Sequence, residues 1–431
     1  MKKICGHIDI PPFQSLFFGA SLVLVAPCAS ADPLLAFTTS TLGQGDMHNW
    51  PEVSGSNLNG LAAADGICQA RATTANLPKA DQFVAWLSDR NDDAYCRMYG
   101  LGGKKAANCG QLSLPHGARP WSRVDDAPFM DTLENALDSD VVYSQLNVDE
   151  FGTQFSLGSQ PPYVPAEVWT ATDIDGTFNT QFENDGDCLQ WTSTAYPAGA
   201  TPTLGSSFAA GGSWTFDGTG NGCGANHRLV CMQKGSGPAL TGHSQFGHRE
   251  AFVTSVNVTG NLGGLSGADG LCKSLASSAN LDQPNSFKAL LSSYTEGVNL
   301  TDRIQFDGPW YRLDGLLFAH SKSELTSGAI TLPLNLTDDG KYLGDSTAFT
   351  GTTEEGTAIS GFDCADWSVG SGGITNAAMT NVIAFAINSH NWASVAQTSC
   401  GGATDWPSRL ICLSDSDVIF HHEFESAKTS R

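Results

Sequence analysis

Positively charged residues are scarce in this sequence. Its 431 residues include 22 Lys and Arg against 44 Asp and Glu, which gives a formal net charge of −22 at pH 7. A chain this acidic repels phosphate backbones and anionic lipid surfaces, so we expect neither nucleic acid nor a membrane surface as a partner. Charged residues of both signs make up 15% of the chain and 47 residues are glycine, a balance typical of a loop-rich extracellular protein.

Local signatures of catalysis and of zinc binding are missing as well. There is no Cys-x-x-Cys, which excludes the usual zinc-ribbon and redox motifs, and there is no Gly-x-Ser-x-Gly or His-Glu-x-x-His. The nearest approach to a nucleophile elbow, at residues 264–267, reads instead as the start of a helix. We therefore predict that the protein is not an enzyme and name no catalytic residue. A secreted hydrolase whose loops have acquired catalytic groups is the least favoured alternative.

After the N-terminus, no stretch approaches the about 18 apolar residues that a membrane-spanning helix requires, so we expect no transmembrane segment. The N-terminus is typical of a secretory signal, because Lys2-Lys3 precedes an apolar run from Leu16 to Ala26 and a cleavage-site pattern at Ala29-Ser30-Ala31. We expect residues 1–31 to be removed and the mature chain to be secreted or held at the outer cell surface. A lipid anchor at Cys28 is disfavoured, because a proline precedes that cysteine.

One stretch of the sequence occurs twice. Residues 57–68 read Asn-Leu-Asn-Gly-Leu-Ala-Ala-Ala-Asp-Gly-Ile-Cys, and residues 261–272 read Asn-Leu-Gly-Gly-Leu-Ser-Gly-Ala-Asp-Gly-Leu-Cys. An Ala-Asn-Leu and a Phe-led apolar run follow each copy without a change of register. Self-similarity of this length predicts two copies of one domain. We expect the first domain at 32–233, a flexible linker at 234–249, the second domain at 250–414 and a tail at 415–431.

The local patterns predict several elements in each copy. A short strand opens each copy at 36–40 and 251–255, and the repeated motif forms a helix, because its apolar residues recur at steps of three and four. A second short helix is expected where Phe83, Trp86 and Leu87, or Phe287, Leu290 and Leu291, follow the same steps, with Asp81 and Asn285 or Ser286 as its N-caps. Residues 167–170 and 347–350 read as a strand, because β-branched and aromatic residues occur together there.

The cysteines favour disulfide bonds. Ten lie outside the signal segment, an even number in an exported chain. Four positions correspond between the copies, and four cysteines allow three connectivities. Cys96 and Cys109 occur only in the first copy and are most simply paired with each other.

These pieces together resemble the C-type lectin-like fold, specifically its endostatin-like branch and a bacterial family of exported domains of undefined function. The matching motifs are Gly-Leu-x-x-Ala-Asp-x-x-Cys, the Phe-x-Ala-Trp-Leu-Ser run, Val168-Trp169-Thr170, Asp-Cys-x-x-Trp at 187–191 and 363–367, and the closing Arg-Leu-Val-Cys at 228–231. The resemblance implies an α+β fold: two tandem disulfide-stapled domains, each with antiparallel strands and two flanking helices. Irregular loops on one side would bind ligands.

In that family the first cysteine of a domain bonds to the last and the middle two bond to each other. This is the nested arrangement that we favour here. The expected bonds, with the pair special to the first copy, are Cys68–Cys231, Cys188–Cys223, Cys96–Cys109, Cys272–Cys412 and Cys364–Cys400.

The resemblance also raises the question of calcium. Sugar-binding lectins of this fold hold calcium in a Glu-Pro-Asn or Gln-Pro-Asp loop and a Trp-Asn-Asp segment, and calcium needs about six to eight oxygen ligands. Here the segment 214–217 offers a single acid, Asp217, and the acidic loop before Cys188 does not have EF-hand spacing. Solvated loop carboxylates are the plainer interpretation. The candidate calcium ligands are Asp173, Asp175, Asp187 and Asp217.

The same loops supply the candidate ligand-binding residues, which are Asp173, Asp175, Glu183, Asp185, Asp217 and Trp191. Trp191 is more often a core residue than a sugar platform in such a position. The histidine cluster and basic face through which endostatin binds zinc and heparin have no counterpart here, and His421-His422-Glu423 reads as part of a disordered tail.

The sequence thus predicts an exported, non-enzymatic binding or adhesion protein that recognises an extracellular protein or glycan through the loops of its tandem domains. Duplication raises avidity for repetitive targets. A calcium-dependent, carbohydrate-binding lectin that acts through the first domain is the alternative.

Overall fold

The computed structural model describes most of the chain after the N-terminal segment. The described residues are 34–117, 120–138, 141–155, 167–180, 186–195, 201–220, 222–235, 249–327, 330–344, 346–353, 355–370, 376–381, 396–401 and 408–416. The expected signal peptide at 1–31, with Cys28, lies outside them, as do most of the expected linker and residues 417–431 of the tail. The described residues form a mixed α+β fold with few helices.

The first half is built on one sheet. Its strands are β1 (Leu34–Thr38), β2 (Phe83–Ala85), β3 (Trp121–Arg123), β4 (Pro128–Met130), β5 (Glu167–Trp169), β6 (Thr203–Ser206), β7 (Gly218–Thr219) and β8 (Arg228–Gln233). The strand order in the described sheet is β4-β3-β1-β8-β5-β6-β7, and β2 also pairs with β8. Its helices are α1 (Gly60–Thr74), α2 (Ala94–Met98) and α3 (Leu133–Asp138).

The second half repeats this plan on two described sheets. Its strands are β9 (Arg249–Val253), β10 (Phe287–Ala289), β11 (Trp310–Arg312), β12 (Leu317–Ala319), β13 (Thr347–Phe349), β14 (Asn376–Asn381), β15 (Ala396–Ser399), β16 (Ser408–Arg409) and β17 (Ile411–Ser414). They are ordered β10-β17-β9-β11-β12 and β15-β14-β13-β16. Its helices are α4 (Gly264–Ser278) and α5 (Lys322–Ser327). No described helix is both long and apolar enough to cross a membrane.

Two details of the expected architecture need correction. The sheets are mixed, because β1 pairs with β3, and β5 with β8, in parallel. The expected second helix at Phe83–Leu87 begins instead as the strand β2, and its counterpart at Phe287–Leu291 begins as β10. All three residues of β2 are buried, and a short apolar run that is buried on both faces has no periodicity to separate strand from helix. The other helices after α1 and α4 are only one or two turns long.

The repeated motif joins the long helix of each half to the sheet. Asp65 of α1 accepts a hydrogen bond from the backbone N–H of Ala85 in β2, and Asp269 of α4 accepts one from Ala289 in β10, both at 2.9 Å. Each aspartate also forms an ion pair with an arginine of its own half. The aspartate of the Ala-Asp-x-x-Cys motif is therefore a structural tie that fixes helix against strand.

Five disulfide bonds complete these ties. The structure joins Cys68 to Cys231, Cys188 to Cys223, Cys96 to Cys109, Cys272 to Cys412 and Cys364 to Cys400. These are the pairs that the nested arrangement predicts. The long helix of each half is thus bonded to the closing strand of the same half, which runs beside the opening strand.

The two halves share a buried core. Val142 and Leu146 of the first half belong to the same apolar cluster as Leu334 and Leu343 of the second. Polar contacts cross the same boundary. The Arg312 guanidinium donates to the carbonyl oxygen of Tyr143 at 2.8 Å. The side-chain amide of Asn335 donates to the carbonyl oxygen of Val142 at 3.0 Å. The rings of Tyr143 and Tyr342 meet edge to face. The halves are consequently packed against each other.

The opening strand of the second half, β9, carries the carboxyl group of Glu250 in a largely buried position. Glu250 pairs with Tyr311 in β11 as Leu35 pairs with Ser122 in the first half, so an acid stands where the other copy has leucine. Burial, with a smaller contribution from the negative charge of Asp282, raises the pKa of Glu250 from 4.5 to about 7.

We expect Glu250→Gln to stabilise the protein at neutral and alkaline pH. Because the folded-state pKa is raised, the wild type is at its full stability below about pH 4.5 and loses stability as the pH rises to about 7. The variant should exceed it in free energy of unfolding by about 3 kcal/mol at pH 8 and equal it at pH 4. Urea denaturation at both pH values measures this, with exposed Glu355→Gln as the control. Parallel pH profiles for the wild type and Glu250→Gln would contradict it.

Candidate binding site

An open cleft of about 880 Å³ lies in the first half. Two segments line it: a disulfide-bonded excursion between β2 and β3, and the hairpin that follows β5. The lining residues are Arg90, Asp93, Lys104, Ala106, Asp173, Asp175, Thr177, Phe178 and Thr180.

The disulfide-bonded part of the excursion is special to the first half. It contains helix α2 and the bond between Cys96 and Cys109, the two cysteines that have no counterpart in the second copy. This bond closes a loop short enough to hold Lys104 and Ala106 close to α2. In the second half, residues 290–309 join β10 to β11, against residues 86–120 between β2 and β3, so this connection is shorter and lacks both cysteines.

Asp93 fastens the excursion to the hairpin. Its carboxylate is almost fully buried, at 2% exposure. One oxygen accepts hydrogen bonds from Lys104 Nζ at 3.0 Å and from the backbone N–H of Phe178 at 2.9 Å, and the other accepts one from the backbone N–H of Lys105 at 2.7 Å. A single buried carboxylate therefore fixes the separation of the two cleft segments.

The hairpin is a tight turn from Asp173 to Thr177. The backbone N–H of Asp173 donates to the Thr177 carbonyl at 2.7 Å, and that of Gly176 donates back to the Asp173 carbonyl at 2.9 Å. Gly176 has a φ of +83°, and a Cβ there would lie 2.9 Å from a methyl carbon of Leu137, so only glycine fits. Lys105 Nζ donates to the Asp175 carbonyl at 2.7 Å from the opposite segment.

The two cations of the cleft are already paired. Arg90 makes a two-pronged ion pair with Asp187, with Nε–Oδ2 and Nη2–Oδ1 distances of 3.0 and 2.8 Å. Burial opposes the ionisation of Asp187, but the hydrogen bonds from Arg90 prevail and lower its pKa below the ordinary value. Lys104 is paired with Asp93.

The two carboxylates of the turn, Asp173 and Asp175, differ from these cations in their pairing. In the described part of the chain, neither Asp173 nor Asp175 belongs to an ion pair, and the hydrogen bonds to each use Oδ1. Asp173 accepts from the backbone N–H of Ile174 at 2.7 Å, and Asp175 accepts from the backbone N–H and hydroxyl of Thr177 at 3.0 and 2.6 Å. Asp175 is exposed and Asp173 half-buried. Both can still accept a ligand donor.

The other residues singled out from the sequence lie elsewhere. Asp187 lies behind Arg90 with no exposed surface, so it supports the cleft and offers nothing to a ligand. Trp191 is fully buried, and its indole N–H donates to the Ser88 carbonyl at 2.9 Å; it is a core residue, and we withdraw it as a ligand platform. Asp217 is exposed but does not line the cleft. Glu183 and Asp185 lie outside the described residues.

Calcium coordination would need more oxygens than these residues bring together. Among the residues that the structure describes, no three His, Cys, Asp or Glu side chains approach one another as metal ligands do. Asp173 and Asp175 are neighbours on one turn, whereas Asp187 is used by Arg90. A calcium site at this turn would therefore depend on Glu183 and Asp185, and it stays a prediction.

Sequence reasoning missed Arg90, Asp93, Lys104 and Phe178. The available signal was the extra cysteine pair of the first copy, which marks an insertion relative to the second copy.

The hairpin itself is repeated in the second half, because the backbone N–H of Thr353 donates to the Thr357 carbonyl at 2.8 Å there. Its residues differ, however: Tyr294, Thr353, Glu355 and Ala358 occupy the places of Arg90, Asp173, Asp175 and Phe178. The chemistry of the cleft belongs to the first half.

Comparison with known proteins adds no assignment. No protein-family model matches the chain, and a search of curated proteins finds no significant match.

Proposed function

We propose that this is an exported, non-catalytic binding protein that takes an extracellular protein or glycan ligand into the cleft of its first half. We place it, also as a proposal, among C-type lectin-like proteins of the endostatin-like branch. The observation that carries the functional proposal is the cleft itself, which is large and which the buried Asp93 carboxylate and the Cys96–Cys109 bond hold open.

A preformed cleft favours binding because little conformational freedom is lost when a ligand enters. The walls here are fixed by contacts that do not involve a ligand, namely the Arg90–Asp187 and Lys104–Asp93 pairs and the hydrogen bond from Lys105 to the hairpin. The lining combines charged groups, two threonine hydroxyls and the half-buried ring of Phe178. Seven of the nine described lining residues are polar or charged, so the cleft suits a polar ligand that it holds through hydrogen bonds and charge.

The second half has a supporting role in this proposal. It shares a core with the first half through Arg312, Asn335 and Tyr342. Its connection between β10 and β11 is shorter than the excursion that lines the cleft and lacks the cysteine pair. We therefore propose one ligand site per chain, where the duplication alone suggested two.

The alternatives make distinct demands on the same turn. A calcium-dependent lectin would require calcium heat in calorimetry that disappears in Asp173→Asn and Asp175→Asn. A hydrolase would require a nucleophile or a general acid-base pair, and the described lining offers Asp173 and Asp175 for that work. Turnover of any substrate in a hydrolase panel would favour the hydrolase over a binding role.

Filling the cleft tests the proposal. Ala106 is an exposed lining residue, whereas its exposed neighbour Ala107 does not line the cleft. We expect the mature chain to capture ligands on glycan and matrix-protein arrays, and we expect Ala106→Trp to weaken that capture at least tenfold, while Ala107→Trp leaves it unchanged. No capture by the wild type in either calcium or EDTA, or equal capture by both variants, would overturn the proposal.

A further inference from the structure

We infer that the ligand group which this cleft recognises is a lysine or arginine side chain on a segment of an extracellular protein. The inference rests on the proposed function of the cleft and specifies its partner.

The charge of the lining points to a cationic group. Arg90 and Lys104 are each satisfied by a buried carboxylate, Asp187 and Asp93. A third cation, Lys105, contacts the turn at the Asp175 carbonyl oxygen and not at a carboxylate. Asp173 and Asp175 form no ion pair in the described part of the chain, and each has one oxygen already oriented by the turn. Two carboxylates on one rigid turn can receive an ammonium or guanidinium group without rearrangement, and charge-assisted hydrogen bonds of this kind are about twice as strong as neutral ones.

The apolar groups beside the carboxylates suit a lysine or arginine in particular. Ile174 stands between the two aspartates with 51% of its surface exposed, on the turn but outside the residues that line the cleft. Lysine and arginine carry their charge on an apolar stem that lies along such surfaces. The ring of Phe178 also lines the cleft, but Lys104 Nζ lies 5.0 Å from its centroid, so this cation–π contact is already made within the protein. An amino sugar offers the charge without the stem and would leave Ile174 unused.

The whole chain favours the same partner. Its net charge of −22 attracts basic proteins and speeds their encounter, and it repels sulfated glycans and nucleic acids. Long-range attraction by itself is not specific, because any acidic surface provides it. Specificity must come from the turn, and the experiment therefore separates the turn from the overall charge.

The test is the affinity of hexalysine for the full mature chain, measured by calorimetry at physiological salt. The double variant Asp173→Asn/Asp175→Asn removes two charges and keeps the oxygens that Ile174 and Thr177 use. Its matched control, Asp302→Asn/Glu355→Gln, removes two exposed charges from the second half. We expect about tenfold weaker binding for the first variant and less than twofold for the second. Equal losses in the two variants would overturn the inference, because binding would then follow net charge alone.

Two further probes identify the chemistry. Hexalysine with acetylated side chains should not bind, and a glucosamine hexamer should bind at least tenfold more weakly than hexalysine; equal binding of either would overturn the inference. Failure of this inference can be distinguished from failure of the proposed function. If Ala106→Trp abolishes array capture while Asp173→Asn/Asp175→Asn preserves it, the cleft is the site and its partner is not recognised through a cation.

Discussion

Replacing both Cys272 and Cys412 by alanine is expected to lower the free energy of unfolding by about 4–5 kcal/mol. The bond joins residues separated by 140 positions in the sequence, and a cross-link that closes so long a loop removes much of the entropy of the unfolded chain. It also ties helix α4 to β17, the strand that pairs with the opening strand of the second half. We therefore expect the entire second half to be weakened, which urea denaturation under non-reducing conditions measures.

The matched comparison is the removal of Cys96 and Cys109. These residues are separated by 13 positions, so the same entropic reasoning predicts a smaller loss, about 3 kcal/mol, accompanied by loss of the cleft. Array capture should accordingly fail in this variant and survive in Cys272→Ala/Cys412→Ala under native conditions. The opposite order of stabilities would contradict the view that each half is held closed by its helix-to-strand bond.

Arg312→Met is the second substitution for which we expect a large effect. The Arg312 side chain is buried, forms an ion pair with Asp314, and donates to the carbonyl oxygens of Pro333 and, in the other half, Tyr143. Burial opposes the ionisation of Asp314, but the Arg312 guanidinium lowers its pKa below the ordinary value. Removal of Arg312 leaves the Asp314 carboxylate, 17% exposed, without its cation and with the Tyr342 hydroxyl and the Leu316 N–H as donors, which costs about 3 kcal/mol.

Arg123 provides the control within the same chain. It is equally buried and pairs with Asp125, and it donates to the carbonyl oxygen of Gln145 in its own half at 3.0 Å. Arg123→Met should cost a similar free energy and leave a single unfolding transition in calorimetry. Arg312→Met should instead separate the unfolding of the two halves into two transitions. A single transition in both variants would show that this contact does not couple the halves.

Much of the framework could be predicted from the sequence because it depends on local or repeated signals. The stepped apolar residues around Cys68 and Cys272 predict the two long helices, and the matched positions of the cysteines narrow the disulfide pairing once the family resemblance is considered. The Asp-Cys-x-x-Trp carboxylates act as loop braces: Asp187 holds Arg90, and Asp363 accepts from the backbone N–H of Tyr294 at 3.0 Å.

The rest depends on contacts between distant residues. Phe83 to Ala85 form a strand because they pair with β8 and are buried on both faces: Phe83 and Ala85 belong to the apolar cluster that contains α1, and Val84 belongs to another cluster. No local pattern records that burial. Tyr143 and Arg312 give no sign in sequence that they meet across the two halves. The cleft is the clearest case, because Asp93 and Phe178 come from segments far apart in the chain and meet only through a buried hydrogen bond.

Hydrogen–deuterium exchange of the full chain, with and without the array ligand that binds most tightly, tests the central claim most directly. A ligand in the cleft should slow exchange at residues 90–107 and 172–180, and should leave the equivalent hairpin of the second half at 352–358 unchanged. Protection at 352–358, or protection confined to any surface outside the cleft, would contradict the assignment of ligand binding to the first half.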